Sequence, residues 1–201
     1  RPRDDGLDGH AWWPLFSATP IEYIENYYPV IVERYRPVQD AGGAGLHRGG
    51  AGIEKVYRVL ASGSISIHDD REVVPPWGIN GGLHGGTSSK WVVRAGKDEP
   101  ERIPSKTDSV KVEPGDRIIF ITAGSGGWGD PLDRPAEKVL ADVQNDLVSR
   151  QKAEEDYGVI ISETHVLDTS ATARLREKMK AERGAPSDFD LGFIPGVHAA
   201  E

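Results

Sequence analysis

Three glycine-rich runs break up a chain that otherwise alternates like strands: Gly42-Gly-Ala-Gly-Leu-His-Arg-Gly-Gly50, Gly81-Gly-Leu-His-Gly-Gly86 and Gly124-Ser-Gly-Gly-Trp-Gly129. By composition they are loops. The third fits G-x-G-x-x-G, the dinucleotide-binding fingerprint, and follows the strand-like Asp116-Arg-Ile-Ile-Phe-Ile-Thr122. A nucleotide-binding unit also needs a helix opening at the last glycine, so that free N–H groups and the positive end of the helix meet the pyrophosphate. Gly129 is followed instead by Asp130-Pro131, a carboxylate and a turn, and Asp130 also stands where a phosphate-loop lysine would be. The run reads as a tight structural turn.

The segments between the glycines predict an antiparallel, β-rich body. Thr19-Pro-Ile-Glu22 has the form of a capping box with proline at the first helical position, so a short helix should run to about Tyr27, ended by Pro29. A strand over Val30–Tyr35 follows. Ile53–Leu60 and Ser64–His68 read as a hairpin, with Ile65 and Ile67 alternating against Ser64, Ser66 and His68. Lys90–Arg94 with Glu101–Ile103 reads as a second hairpin, and a short strand at Val110 and Val112 turns at Pro114-Gly115 into Asp116–Thr122. The connections are too short for parallel crossovers.

Beyond residue 130 the pattern becomes helical. Asp133 should cap a helix whose Val139, Leu140, Val143 and Leu147 share a face, Ser149 a second closed by Tyr157-Gly158, and Thr169 a last one ending at Gly184, with short strands at Val159–Ile161 and His165–Leu167 between. The expectation is therefore an α+β chain: a connecting segment with a short helix (1–27), an antiparallel β-rich body (28–130), a mainly helical cap (131–184) and a tail (185–201) draped on a partner or mobile.

With 201 residues and a net charge of −8, and with no run of Lys or Arg, the chain argues against nucleic acid and anionic membranes as partners. It has no cysteine, which excludes disulfides and thiolate metal sites and suits the cytoplasm. The only methionine is Met179 and the chain opens on RPRDDGLDGH, so it reads as an interior piece of a longer polypeptide. The six histidines, at 10, 47, 68, 84, 165 and 198, lack metal-ligand spacing. His68-Asp-Asp-Arg71 is the densest polar cluster. Asp70 and Arg71 there are candidates to orient a substrate carboxylate or a catalytic water, with His68 beside them for substrate binding; the plainer alternative is a strand-end turn in which Asp70 pairs with Arg71. His47 and Arg48, set among glycines, are candidates for contact with an anion, against loop packing as the alternative.

Several blocks then point to a family. Gly42 to Tyr57, His68 to Arg71, Pro76-Trp-Gly78, Pro104-Ser-Lys106, Val112 to Arg117, Gly124 to Pro131 and Asp142 onward to Ile160 occur in the order of the hydantoinase B/oxoprolinase family, which the chain resembles over nearly its whole length. The resemblance implies an ATP-dependent enzyme in two parts. An A-type component binds ATP and phosphorylates a carbonyl-derived oxygen, and a B-type component completes the opening of a hydantoin, 5-oxoproline or related lactam; relatives carboxylate acetone or acetophenone. This chain resembles the C-terminal portion of a B-type component. ATP and a divalent metal are implied for the whole complex and neither for this chain alone. The implied partners are the N-terminal portion of the same component, the A-type component, and a small cyclic amide or ketone, in a hetero-oligomer.

Overall fold

A computed structural model describes residues 4–9 and 17–192; His10, Trp12, Trp13, Phe193, Ile194, Val197 and His198 lie outside the described residues. Alternating apolar residues set the strands. Val30–Pro37 (β1), Ile53–Val59 (β2), Ser89–Val93 (β5), Pro100–Arg102 (β6) and Arg117–Ile121 (β8) form a sheet in the order β1-β2-β8-β5-β6, and Gly63–His68 (β3) pairs with Lys106–Val112 (β7). Every ladder between these strands is antiparallel, as the short connections require.

The expected hairpin of β5 with β6 forms, through Trp91↔Arg102. That of β2 with β3 does not. β2 already has β1 on one edge and β8 on the other, so β3 leaves the sheet and joins β7, while β7 passes through Pro114-Gly115 into β8 without pairing with it. The registers Arg58↔Arg117 and Gly63↔Val112 show two long strands that bend together at one corner. Ser62 hydrogen-bonds Glu113 across that corner. Buried Asp116 braces it, accepting from the amides of Ala95 (2.9 Å) and Glu113 (3.1 Å) and from Arg94 (2.9 Å). The bend lays the β3–β7 ribbon over one face of the sheet, where Ile65, Ile67, Val110 and Val112 close on Val59, Val92, Ile103, Ile118 and Phe120.

The helix Ile21–Tyr27 (α1) begins as expected, but the residue before it is Pro20 and no side chain caps it; Glu25 instead accepts the amide of Val32 (2.8 Å) and ties the helix to β1. Beyond the sheet, Ala136–Gln144 (α2), Arg150–Glu155 (α3) and Thr169–Arg183 (α4) follow a single 3₁₀ turn at Pro131–Asp133. Ser149 caps α3 as expected. The other caps differ by position: Asp130 caps the 3₁₀ turn, so that Asp133 lies inside it and α2 follows Pro135 with no side-chain cap, and Asp168 caps α4 with Thr169 as its first residue. The expected strand pair at 159–167 is reduced to one bridge, Ile161↔Leu167.

Val139, Val143, Val148, Ala153, Tyr157 and Val159 make a second core, and Ala44 of the first glycine run is buried in it. Asp156 ends α3 against this core. Burial pushes its carboxyl above the ordinary value of 3.8, and Lys152 only partly offsets this. A raised acid costs stability wherever the folded form is forced to ionise, from about the unfolded pKa upward, and a negative charge at a helix C-terminus adds to the cost. Asp156→Asn should therefore melt above the wild type at pH 7, with the gain vanishing below pH 3.8; a melting series over pH 3–8 checks it.

The glycine runs lie side by side, joined backbone to backbone: Gly43 N donates to Ser125 O (2.8 Å), Leu83 N to Ala44 O (2.7 Å), Gly127 N to Leu83 O (2.9 Å) and Gly124 N to Gly86 O (3.0 Å). Side chains have no place between them. The start of the tail is also docked: Phe189–Asp190 (β9) pairs with Gly78–Ile79 (β4) beside the second run, and Asn80 N donates to Asp188 O (2.7 Å). Among the described residues no helix is long and apolar enough to cross a membrane.

Candidate functional site

The sequence candidates fall into two places. His47 and Arg48 lie in the glycine block, and Asp70 and Arg71 line a groove at the end of β3. His47 and Trp128 exchange both backbone hydrogen bonds (3.0 Å each), which sets their rings 5.6 Å apart, and His47 Nδ1 is buried without a hydrogen-bond partner among the described residues. The two side chains border a hollow with Asp4, Gly6, Arg48, Ser125 and Gly126.

Arg48 is 4% exposed. Its guanidinium donates to Asp8 (2.9 Å), to the carbonyl of Gly49 (2.7 Å) and to Asp142 (3.4 Å). A second buried arginine, Arg134, holds Asp5 through both nitrogens of its fork (2.6 and 2.9 Å), Asp142 (2.7 Å) and the carbonyl of Leu46 (3.0 Å). Burial opposes both positive charges, yet the carboxylates outweigh it and both guanidinium pKa values lie above their ordinary value. Asp5 shows the converse: burial raises its carboxyl, and Arg134 together with the Arg48 amide and Lys138 more than reverses that. Sequence reasoning missed Arg134, Asp5, Asp8 and Asp142. One signal was present: Asp142 stands with Val139 and Val143 on the buried stripe of α2, where an acid requires a cation.

At the β3 end, His68 Nε2 and Asp108 Oδ1 are 3.2 Å apart, both side chains 71% exposed. Asp70 pairs with Lys106 (3.1 Å), and Arg71 lies over the ring of Trp77 (4.9 Å). Asp70 and Arg71 are therefore not paired with each other: the backbone at Arg71 is left-handed (φ +66°), and each side chain meets a different neighbour. Behind them Lys90, buried on β5, is paired with Asp69 and donates to Ser88 Oγ (3.0 Å); Ser88 in turn donates to Asp69 (2.5 Å). Burial holds the Lys90 ammonium below its usual pKa. Asp69, Asp70, Arg71, Glu72, Ser105 and Lys106 line the groove.

Nucleotide and metal are tested by the donors present. In the run 124–129 the amides of Gly124, Ser125, Gly127, Trp128 and Gly129 donate to carbonyls of the neighbouring runs and of β4, and Asp130 is paired with Arg183. Amides so engaged do not fit a phosphate. No three His, Asp or Glu side chains converge as a metal cage among the described residues.

The profile of the hydantoinase B/oxoprolinase family matches residues 1–131. The chain belongs to this family. A relative from a Pseudomonas species, named for the B component of a D-/L-hydantoinase, is 34% identical over 176 residues, covering 86% of this chain and 29% of that protein. The crystal structure of the ATP-dependent caprolactamase of Pseudomonas jessenii superposes with a TM-score of 0.66 at 32% identity, covering 79% of this chain and 28% of that one. A nucleotide-free acetone carboxylase structure shares the fold, with a TM-score of 0.72 at 21% identity over 90% of this chain and 29% of its own. This hydantoinase B/oxoprolinase chain thus spans well under a third of the relatives it matches. The matched region contains the whole glycine block and both candidate places, and it ends at Pro131 where the helices begin.

Gly129 separates a folding role for the block from a nucleotide-binding one. It has φ +76°, and a Cβ there would lie 2.9 Å from Leu46 Cβ. Gly129→Ala should lower stability by about 1–2 kcal/mol, read as a lower melting temperature. An unchanged melting temperature would reverse the assignment.

Proposed function

We propose that this chain is the C-terminal region of the B component of an ATP-dependent enzyme that opens a cyclic amide after a partner A component phosphorylates its carbonyl oxygen. The observation that carries this reading is the likeness to a hydantoinase B component and to an ATP-dependent caprolactamase, each at more than 30% identity over most of this chain. A ring amide resists water because its nitrogen lone pair is delocalised onto oxygen. With the oxygen phosphorylated, one water adds at carbon, and the tetrahedral adduct expels the ring nitrogen as the amine to leave an acyl phosphate. A second water hydrolyses that to carboxylate and phosphate, so ATP, two waters and lactam become amino acid, ADP and phosphate.

In this reading ATP and the divalent metal belong to the rest of a cytoplasmic hetero-oligomer, since the amides of the glycine run are engaged. Within the chain, Asp70 and Arg71 are the candidates to touch substrate, lying on an open groove with His68 at the same strand end. Arg48 acts through position: its charge is taken by Asp8 and Asp142, so it holds the wall beside His47 rather than an anion.

A second reading, ketone carboxylation, draws on the fold shared with acetone carboxylase. The full assembly, given ATP with hydantoin, 5-oxoproline or caprolactam, or with acetone or acetophenone and bicarbonate, distinguishes the two. Ring opening is expected; carboxylated product without it would overturn the first reading. A third reading, a module that only supports assembly, is tested by Asp70→Ala and Arg71→Ala. Both should lower turnover at least about tenfold with the assembly intact and normally stable, and unchanged turnover would assign the chain to assembly alone.

A further inference from the structure

The β3–β7 ribbon covers one face of the sheet, and the opposite face carries a concentration of arginines. Period-two alternation puts Glu54, Val56 and Arg58 of β2 on that face. The registers Arg36↔Glu54, Arg34↔Val56 and Arg58↔Arg117 bring Arg34 and Arg36 of β1 and Arg117 of β8 to the same side. Two carboxylates serve the four cations. Glu54 accepts from Arg34 (2.9 Å) and Arg36 (2.6 Å), and Glu33, at the bulge in β1, accepts from Arg58 (2.7 Å) and Arg117 (2.6 Å).

Each guanidinium has five N–H donors, and the four arginine side chains remain 51%, 64%, 39% and 49% exposed in the order Arg34, Arg36, Arg58, Arg117. The fringe encloses the half-buried Ile119 and Trp91 beside the fully covered Val56, with the Arg102 guanidinium 5.9 Å from the Trp91 ring. These four arginines and two glutamates sum to +2, and Arg102 beside them is paired with Glu72 (3.1 Å), while the whole chain stands at −8.

Sheet stability alone does not call for this layout. Arg58 and Arg117 stand directly opposite each other, an arrangement that is destabilising between like charges, and exposed ion pairs return little in any case. We infer that this face is a docking surface for an acidic protein segment, whose carboxylates take the outward-facing guanidinium edges while its apolar residues cover the half-buried Ile119 and Trp91. Arginine and tryptophan around an apolar centre are the composition in which interface energy concentrates. The strongly negative remainder of the chain repels a long polyanion such as nucleic acid but leaves a compact acidic segment free to seat on one basic face. The inference stands apart from the reaction catalysed.

The test uses the full-length protein and a fluorescent random Glu–Tyr copolymer, titrated by anisotropy between about 50 and 300 mM NaCl, over which the screening length falls roughly 2.5-fold. The wild type should bind, and more weakly as salt rises. Arg34→Glu/Arg36→Glu and Arg58→Glu/Arg117→Glu should each weaken binding by about tenfold or more and flatten the salt dependence. The milder Arg58→Gln/Arg117→Gln does so with circular dichroism unchanged, which keeps the test valid if charge reversal harms folding. Copolymer affinity unchanged in all three variants, no binding by the wild type, or tighter binding of a thymidine 20-mer through the same arginines would each overturn the proposal.

Discussion

Replacing Arg134 by methionine is expected to lower the unfolding free energy by about 3–5 kcal/mol, the usual loss when one partner of a buried ion network is removed. The side chain is 1% exposed and joins three parts of the fold: Asp5 in the N-terminal segment, the carbonyl of Leu46 in the first glycine run, and Asp142 on α2. Methionine fills much of the volume but, among the described residues, leaves Asp5 with the hydrogen bond from the Arg48 amide (2.9 Å) and Asp142 with the longer contact to Arg48 (3.4 Å). Adding Asp142→Leu should return part of the loss, because a buried pair replaced whole is far less damaging than one broken.

An exposed arginine supplies the contrast. Arg117→Met, at a side chain 49% exposed, should cost less than about 1 kcal/mol. The pH dependence has a definite sign. The folded Asp5 carboxyl lies below its ordinary 3.8, so its contribution is complete above that value and is lost as pH falls through the folded pKa. Urea denaturation at pH 7 and pH 3 should show the gap between wild type and Arg134→Met narrowing in acid. A gap that is small at pH 7 would show that the N-terminal segment is held by other contacts.

The elements and their antiparallel sense could be read from the sequence because alternation and turn residues are local. Which strands pair could not. The three residues between β2 and β3 have the composition of a hairpin turn, and only the occupation of both β2 edges, by β1 and by a strand nearly sixty positions later, sends β3 elsewhere. The failure of 124–129 as a phosphate loop could be read from Asp130-Pro131, since the chemistry there is sequential. That its amides serve the two other glycine runs could not, because nothing in a glycine specifies its neighbour. Arg48 was singled out for its glycine setting, but its partners Asp8 and Asp142 lie 40 and 94 positions away, beyond any spacing argument. The arginine face was hidden for the same reason: Arg34, Arg36, Arg58 and Arg117 form no run, and only strand register gathers them.

Gly126→Ala should lower stability by about 3 kcal/mol, the upper end of what forcing extra atoms into close packing costs. The position does not need a left-handed backbone, so the loss comes from space alone. A Cβ at residue 126 would coincide with the carbonyl oxygen of Trp77, and the peptide of Gly78 stands 3.0 Å away. Neither neighbour is the far end of a flexible side chain. Trp77 is followed by β4, whose Ile79 amide donates to Gly127 O (3.0 Å), so moving one strand of the block pulls on the next.

Alanine also narrows the unfolded ensemble, which by itself favours folding by about 0.4–1 kcal/mol. The net loss therefore understates the clash. Gly63→Ala is the matched control: it lies in β3, has no atom within 4 Å of an added Cβ, and should be neutral or slightly stabilising. Chemical denaturation of both variants in the full-length protein should show a lower midpoint for Gly126→Ala at an unchanged slope, and a midpoint for Gly63→Ala at or above the wild type. Equal midpoints would mean that the glycine runs can move apart by a methyl group at little cost. Their backbone contacts would then no longer explain why so many positions in the block are glycine, and the rigid setting they give His47 and Trp128 would have to come from elsewhere.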